Sequence, residues 1–416
     1  MHFAVFNLQS RTKLLMSLTV EPNQETQTVA ATPLNLGKVL QQMVEVSDKV
    51  SDLIFSPGRP PQVELVGKLQ PVQIAGIEKL SPAQTFAIAK IIMADNTSAV
   101  ESLDKFGSAD LSFSVPGLSR FRVNIFKQRG THAIVMRVIP ARSPRFEDFN
   151  LPKQLREIVE LKNGVVLVTG PTGSGKSSTL AAIIDLINET KFYHIVTIED
   201  PIEFLHSHKN STIHQRELHS DTPNFALALR AALRQAPKVI LVGEMRDRET
   251  MEVALEAAET GHLVLSTLHT IDAAKSVERI IGVFPKNEEQ IIRTRLAQSF
   301  RFIVSQRLLP RADGSGRVAA IEILRATSRT KEYIERGESE GKSLMDAMEQ
   351  GEVEGMQTFD GQIEKLIRSG VVSKEDGLAY ASNQGNLLLR LGEYGGAAPK
   401  QSPKPVADSI LDMIER

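Results

Sequence analysis

Residues 164–188 read GVVLVTGPTGSGKSSTLAAIIDLIN, an apolar run that meets a glycine-rich turn and then a segment of helical texture. Within it Gly170, Gly175, Lys176 and Ser177 satisfy the spacing G-x-x-x-x-G-K-[ST]. Gly170, Gly173 and Gly175 let the backbone fold inward, so that N–H groups approach phosphate oxygens with no Cβ in the way. Pro171, Thr172, Ser174 and Ser178 complete the cradle. Lys176 can reach β- and γ-phosphates, Ser177 can offer its hydroxyl to Mg²⁺, and the following helix points its positive end at the anion. A strand before the motif and a helix after it are the context that distinguishes a phosphate loop from a chance glycine-rich turn.

Outward from this loop, HIVTIED (194–200), VILVGE (239–244) and HLVLSTLH (262–269) are further apolar runs separated by helical segments. Strands buried on both faces and alternating with helices predict an α/β fold with a parallel, doubly covered sheet, here over 153–325. Residues 34–140 read differently, as a small α+β domain. Leu36, Val39, Leu40 and Met43 have helical spacing, Leu53–Phe55 and Val63–Val66 look extended, and SPAQTFAIAKIIMAD starts as a Ser-Pro-capped helix. ADLSFSVP and SRFRVNIFKQRGTHAIVMRVIP alternate like an antiparallel hairpin, with QRGTH as the turn. The proline-containing 141–152 predicts a linker, and 326–392 a helical region. Residues 1–33 form a polar arm, and 393–416 a flexible tail ending in a short helix, VADSILDMIER. LLMSLTV near the start is a poor signal-peptide core, with Met16 an alternative start.

Composition narrows the function. At 416 residues the chain exceeds one compact core. Lys plus Arg number 49 against 50 Asp plus Glu, and there is no Trp, so neither a strongly basic face nor indole stacking favours a nucleic-acid partner. With no cysteine, disulfides, thiolate zinc sites and cysteine nucleophiles are excluded. No apolar run is long enough to span a bilayer.

Hydrolysis needs more than a phosphate cradle: a group that handles water and an acid near the metal. TIEDPIEF (197–204) offers Glu199, Asp200 and Glu203 around Pro201 at a strand's carboxyl end, and any of them could face an attacking water. VILVGEMRD (239–247) ends a strand on Gly243-Glu244, so Glu244 can hold the Mg²⁺ shell through water while Gly243 leaves room for phosphate or solvent. Asp247 is a plausible N-cap for the next helix and Gly261 its stop. GHLVLSTLHT places His262 and His269 on either side of a strand, with His269 at the carboxyl end where ligands sit in open α/β sheets. Arg230 and Arg234 share a helix face in FALALRAALRQAP and could serve the site or a subunit interface.

These four boxes, in this order, resemble the secretion ATPases of type II/IV secretion and type IV pili, and within them the PilT and PilU twitching-motility retraction ATPases. The resemblance spans about 35–385 and includes SDLIFSPGRPP, RFRVNIFKQRG and GMQTFDGQI. It implies a RecA-like P-loop NTPase core, an amino-terminal PAS-like domain and a helical carboxyl-terminal region. It implies ATP and Mg²⁺, with Glu203 polarising water, Glu244 the Walker B acid, and His262 and His269 a histidine pair in which His269 senses the γ-phosphate. Arg120, Arg122 and Arg137 lie in the hairpin that brings arginines to the nucleotide in such rings. The implied partners are copies of this chain in a homohexamer, an inner-membrane pilus platform protein (PilC-like) and a paralogous retraction ATPase, at the cytoplasmic face of the membrane. No nucleic acid is expected. Two departures qualify this. The tetracysteine zinc insertion usual in extension and type II secretion ATPases is absent, and the AIRNLIRE segment of PilT-type motors is here RTKEYIER (329–336), as PilU-like accessory motors also lack it.

Overall fold

The computed structural model describes residues 35–140, 143–149 and 151–392; the expected arm and tail lie outside these residues. The chain divides into two compact units between residues 141 and 142.

The first unit contains helices α1 (Leu36–Val44), α2 (Pro82–Met93) and α3 (Thr97–Phe106), and strands β1 (Val50–Phe55), β2 (Gln62–Leu65), β3 (Lys68–Pro71), β4 (Ser108–Val115), β5 (Ser119–Gln128) and β6 (Thr131–Ile139). The strands form one antiparallel sheet, ordered β3-β2-β1-β6-β5-β4. Leu36, Val39, Leu40 and Met43 bury the inner stripe of α1. Ser81 and Gln84 form a reciprocal capping box that starts α2 on Pro82. The β5–β6 turn needs left-handed backbone at both central residues, and Arg129 and Gly130 have φ of 48° and 73°. Strand β3 and helix α3 had no clear sequence signal: β3 is exposed along its length and α3 buries only Ala99 and Leu103.

The second unit is built on a seven-stranded sheet, ordered β13-β12-β7-β11-β10-β8-β9. Its members are β7 (Gly164–Thr169), β8 (His194–Glu199), β9 (Thr212–Glu217), β10 (Val239–Val242), β11 (Leu263–Leu268), β12 (Phe300–Pro310) and β13 (Arg317–Arg325). Every neighbouring pair is parallel except β12 with β13. Strands β7, β10 and β11 are buried at every residue, as expected for a sheet covered on both faces. The helices are α4 (Lys176–Thr190), α5 (Phe225–Ala232), α6 (Arg248–Glu259), α7 (Ala273–Gly282), α8 (Glu289–Ser299), α9 (Ser328–Arg336), α10 (Leu344–Gln350), α11 (Phe359–Arg368), α12 (Lys374–Tyr380) and α13 (Gln384–Gly392). Asp247 caps α6 by accepting from Thr250 N at 2.8 Å, and Gly261 follows it at φ 106°.

The expected linker is less free than its prolines suggested. Phe146, Phe149 and Leu151 are buried in the core cluster that also holds Val166 and Ile183, so residues from 143 onward belong to the second unit. Apolar side chains between the prolines, not the prolines, decide the packing there.

Candidate active site

All five inner strands from β12 to β8 run parallel, so their carboxyl ends share one rim. There β7 runs into Gly170. Its φ is 148°, and a Cβ on it would sit 2.5 Å from both Gln306 O and Ser174 Oγ. The loop then bends through Gly173 and Gly175, at φ 76° and 85°. Helix α4 starts on Gly175 with no side-chain cap, so its first N–H groups remain available to an anion. Ser174 Oγ is buried with no hydrogen-bond partner among the described residues. Lys176 folds back, donating from Nζ to Gly170 O and Pro171 O, each at 2.9 Å. Burial pulls the Lys176 ammonium below its ordinary value, while the charges of Glu203 and Glu244 oppose that shift. Both carboxylates therefore lie within electrostatic reach of the loop lysine. Pro171, Thr172 and Gly173 are exposed, Ser177 is half-buried and Ser178 is buried. This cradle fits a nucleoside triphosphate: a Cβ-free approach, free helix amides and one buried cation.

Glu203 gets its position from what flanks it. Ile202 and Phe204 are buried, so Glu203 between them is turned outward. Ile202 N donates to Glu217 Oε2 at 3.1 Å, and Gln215 Nε2 donates to Phe204 O at 2.9 Å. Glu199, the last residue of β8, is the brace beneath. Its Oε1 accepts from Thr197 Oγ1 at 2.6 Å and Gln215 Nε2 at 3.0 Å, and its carboxylate accepts from the Glu203 backbone. Removal from water pushes the Glu199 carboxyl up to about 7, helped by the Glu203 charge and opposed by those hydrogen bonds. Gln215 and Glu217 lie on β9, which was not legible as a strand: TIHQRE lacks the apolar content that marks the inner strands.

Glu244 and His269 meet. Glu244 Oε2 lies 3.4 Å from His269 Nε2 and 2.7 Å from Arg246 Nε; the Glu244 side chain is 14% exposed, that of His269 47%. Arg246 escaped the sequence reading, where it stands as one more charge in a loop. Gly243 has a different reason than expected. Its N–H donates to Ile198 O at 2.8 Å, and a Cβ would stand 3.3 Å from that same carbonyl. The glycine lets β10 close on the end of β8 and leaves no space there for phosphate. Thr267 Oγ1 ties the Gly243 carbonyl to β11 at 2.7 Å.

Two expectations are not brought to this cluster, those for His262 and for the pair Arg230 and Arg234. His262 precedes β11, at the opposite rim, about 20 Å along the strand from His269. Both its backbone N–H and its Nδ1 lie within hydrogen-bond distance of Ala257 O, at 3.1 and 3.0 Å. Arg230 and Arg234 share no helix face, because α5 ends at Ala232; Arg230 pairs with Glu249 at 2.6 Å and Arg234 follows the helix. Arg120, Arg122 and Arg137 lie on strands of the first unit. Arg122 and Arg137 are exposed cross-strand neighbours, and Arg137 Nε pairs with the buried Asp52 at 3.1 Å.

The profile of the type II/IV secretion system protein family matches residues 89–379. The type IV pilus retraction ATPase PilT of Pseudomonas aeruginosa is 43% identical over 326 residues, 78% of this chain and 92% of that one. The type IV pilus ATPase PilU of the same organism is 39% identical over 366 residues, 88% and 94% of the two chains. A crystal structure of the pilus retraction motor PilT with bound ADP superposes with a TM-score of 0.76 at 40% identity, covering 86% of this chain and 99% of that one. With a family match across 89–379 and relatives aligned over nearly their full length, the chain belongs to the type II/IV secretion system protein family, as one of its twitching-motility ATPases.

Proposed function

We propose that this chain is a motor that hydrolyses ATP to drive type IV pilus retraction. The observation that carries the reading is the convergence of Lys176, Glu203, Glu244 and His269 at one rim of the core sheet. In this reading the loop Gly170–Ser178 and the start of α4 hold the phosphates, and Lys176 leaves Gly170 O and Pro171 O for the β- and γ-oxygens. Ser177 and Glu244 would hold Mg²⁺, which would neutralise charge on the phosphates. Glu203 orients and polarises the attacking water, and Glu199 fixes its backbone. His269, in contact with Glu244, reports the γ-phosphate to the metal-side acid. The catalytic contribution is positioning and charge stabilisation, with no covalent intermediate on the protein.

The boundaries proposed with this function are a PAS-like unit over 34–140, a RecA-like core over 153–325 and a helical region over 326–392. Six copies form a ring in which each core binds ATP against a neighbour's amino-terminal unit, with Arg122 and Arg137 as the arginines offered in trans. The ring passes displacement to an inner-membrane platform protein at the cytoplasmic face. No helix among the described residues is long and apolar enough to cross a membrane.

The test is Glu203→Ala in the purified chain, expected to bind ATP at wild-type affinity and lose turnover. Wild-type phosphate release would remove Glu203 from its role. In cells, deletion should give hyperpiliated, non-twitching bacteria, whereas bald cells would point to assembly. An accessory, PilU-like role is the second reading. The longer alignment to PilU and the segment RTKEYIER favour it. Weak turnover alone, rising on addition of a paralogous retraction ATPase, would select it.

A further inference from the structure

The row Thr169, Ser305 and Glu322 crosses three neighbouring strands, β7, β12 and β13, in direct register. All three residues are completely buried. Thr169 Oγ1 donates to Ser305 Oγ at 3.0 Å, the Ser305 hydroxyl stands beside the Glu322 carboxylate and favours its charged form, and Glu322 Oε1 accepts from Ala273 N at 2.8 Å. The other oxygen, Oε2, has no hydrogen-bond partner among the described residues. The two ends of this series of contacts are informative. Thr169 is the last residue before the phosphate loop, and Ala273 opens α7, four residues after His269.

A carboxyl in this place is costly, and an apolar residue would fill the row without the burial penalty. The bond to Ala273 supplies the reason for keeping one. The α7 cap Asp272 already serves Lys275 N at 2.7 Å, so the first helix N–H needs another acceptor. Glu322 provides it from the sheet. The short segment from His269 to Ala273 is thereby held at one end by β11 and at the other by a strand two places beyond the phosphate-loop strand. Asp272 and Arg307 are the charges around this group, and Asp360 in turn faces Arg307. Arg307 stacks over Phe359 at 3.8 Å and donates to Tyr380 O at 2.7 Å, which extends the network to the carboxyl-terminal helices.

We propose that Glu322 is a positioning residue for hydrolysis, fixing the His269–Ala273 segment against the root of the phosphate loop through Ser305 and Thr169. It acts through His269 and rests on the reading of His269 as a site residue. Glu322→Leu keeps the volume and removes the acceptor, whereas Glu322→Gln keeps an oxygen for Ala273 N–H. In the purified full-length chain, Glu322→Leu should lower kcat about 10- to 100-fold, the scale of a small misplacement of a reacting group. KM for ATP should stay within about threefold, and Glu322→Gln should stay within about threefold of wild type in both constants. In a His269→Ala background, Glu322→Leu should cause no further loss, because both act on one element. Losses that multiply in the double variant, or a Gln variant as damaged as Leu, would overturn the proposal. Ser305→Ala is the milder version, should Glu322→Leu not fold. It is expected to lower kcat while the protein still melts cooperatively, at a somewhat lower temperature for the lost buried hydrogen bond, and a wild-type kcat would count against the row. A damaging His269→Ala beside a silent Glu322→Leu sinks this proposal alone; a silent His269→Ala sinks the site reading together with it.

Discussion

The two rims of the seven-stranded sheet are made of similar residue types and treat them in opposite ways. At the amino rim the polar groups close on each other. His262 Nδ1 meets Ala257 O, Gly164 N donates to His262 O, Lys238 N to His194 O, and the Arg301 guanidinium to the carbonyls of Gln298, Ser299 and Phe300. At the carboxyl rim Ser174 Oγ, Gln306 Oε1 and Glu322 Oε2 are buried with no hydrogen-bond partner among the described residues, and α4 starts without a side-chain cap. Buried polar atoms are satisfied nearly everywhere in folded proteins, so an accumulation of exceptions on one rim marks where structure was given to a ligand rather than to stability. Breaking that contrast is the direct way to test it.

The largest effect is expected from Gly170→Ala. The backbone there is left-handed, at φ 148°, and the new methyl would meet Gln306 O and Ser174 Oγ at 2.5 Å. The loop must shift to relieve this, and a shifted loop loses the aligned N–H groups. Nucleotide binding, measured by titration with a fluorescent ADP analogue, should fall below detection. The second unit should still fold, because the clash lies at the rim and not in the core. Retained affinity would mean that the cradle tolerates a Cβ and that the rim is less specialised than its geometry suggests.

How much of this contrast was legible in the sequence follows from what each signal depends on. The strand–loop–helix around Gly170, Gly173 and Gly175 was legible, because glycines shape local backbone geometry that spacing encodes. The inner strands β7, β8, β10 and β11 were legible as apolar runs, and so was the order of the boxes along the chain. The brace of Glu203 was not: Glu199, Gln215 and Glu217 meet only because β9 pairs with β8. The row to Glu322 depends in the same way on the register of β12 and β13. Gly243 shows the reverse error, a correct glycine with the wrong reason, since its near neighbour is a carbonyl from another strand. Local chemistry can be read along the chain; contacts across strands need the register.

The two histidines of GHLVLSTLHT carry the comparison to one strand. His269→Ala removes a group in contact with Glu244, and turnover should fall about 100- to 1,000-fold, the range for losing one positioned polar group at a reacting centre. His262→Ala removes ring contacts to Ala257 O and Thr260 Oγ1, both at the amino rim, so kcat should stay within about twofold and the cost should appear as about 1 kcal/mol of stability. Steady-state phosphate release and chemical denaturation on both variants decide it. Equal losses of turnover would show that the amino rim also serves the reaction, through a route the second unit by itself does not contain.

The smallest expected effect concerns stability at the carboxyl rim and uses pH as the probe. Burial pushes the Glu199 carboxyl from 4.5 up to about 7, against the hydrogen bonds from Thr197, Gln215 and the Glu203 backbone. Between those values it is neutral in the fold and ionised in the open chain. The stability it contributes is therefore fully present below about 4.5 and is lost as pH rises through about 7. Over that window the slope is on the order of 1 kcal/mol per pH unit from this group alone. Glu199→Gln keeps the acceptor oxygen and cannot ionise, so its unfolding free energy should lack this slope when compared with wild type across the same window. Histidines titrating nearby affect both proteins alike and cancel in the difference. An identical pH dependence in the two would mean that Glu199 is solvated enough to ionise normally, and the carboxyl rim would then be more open beneath Glu203 than its hydrogen bonds indicate.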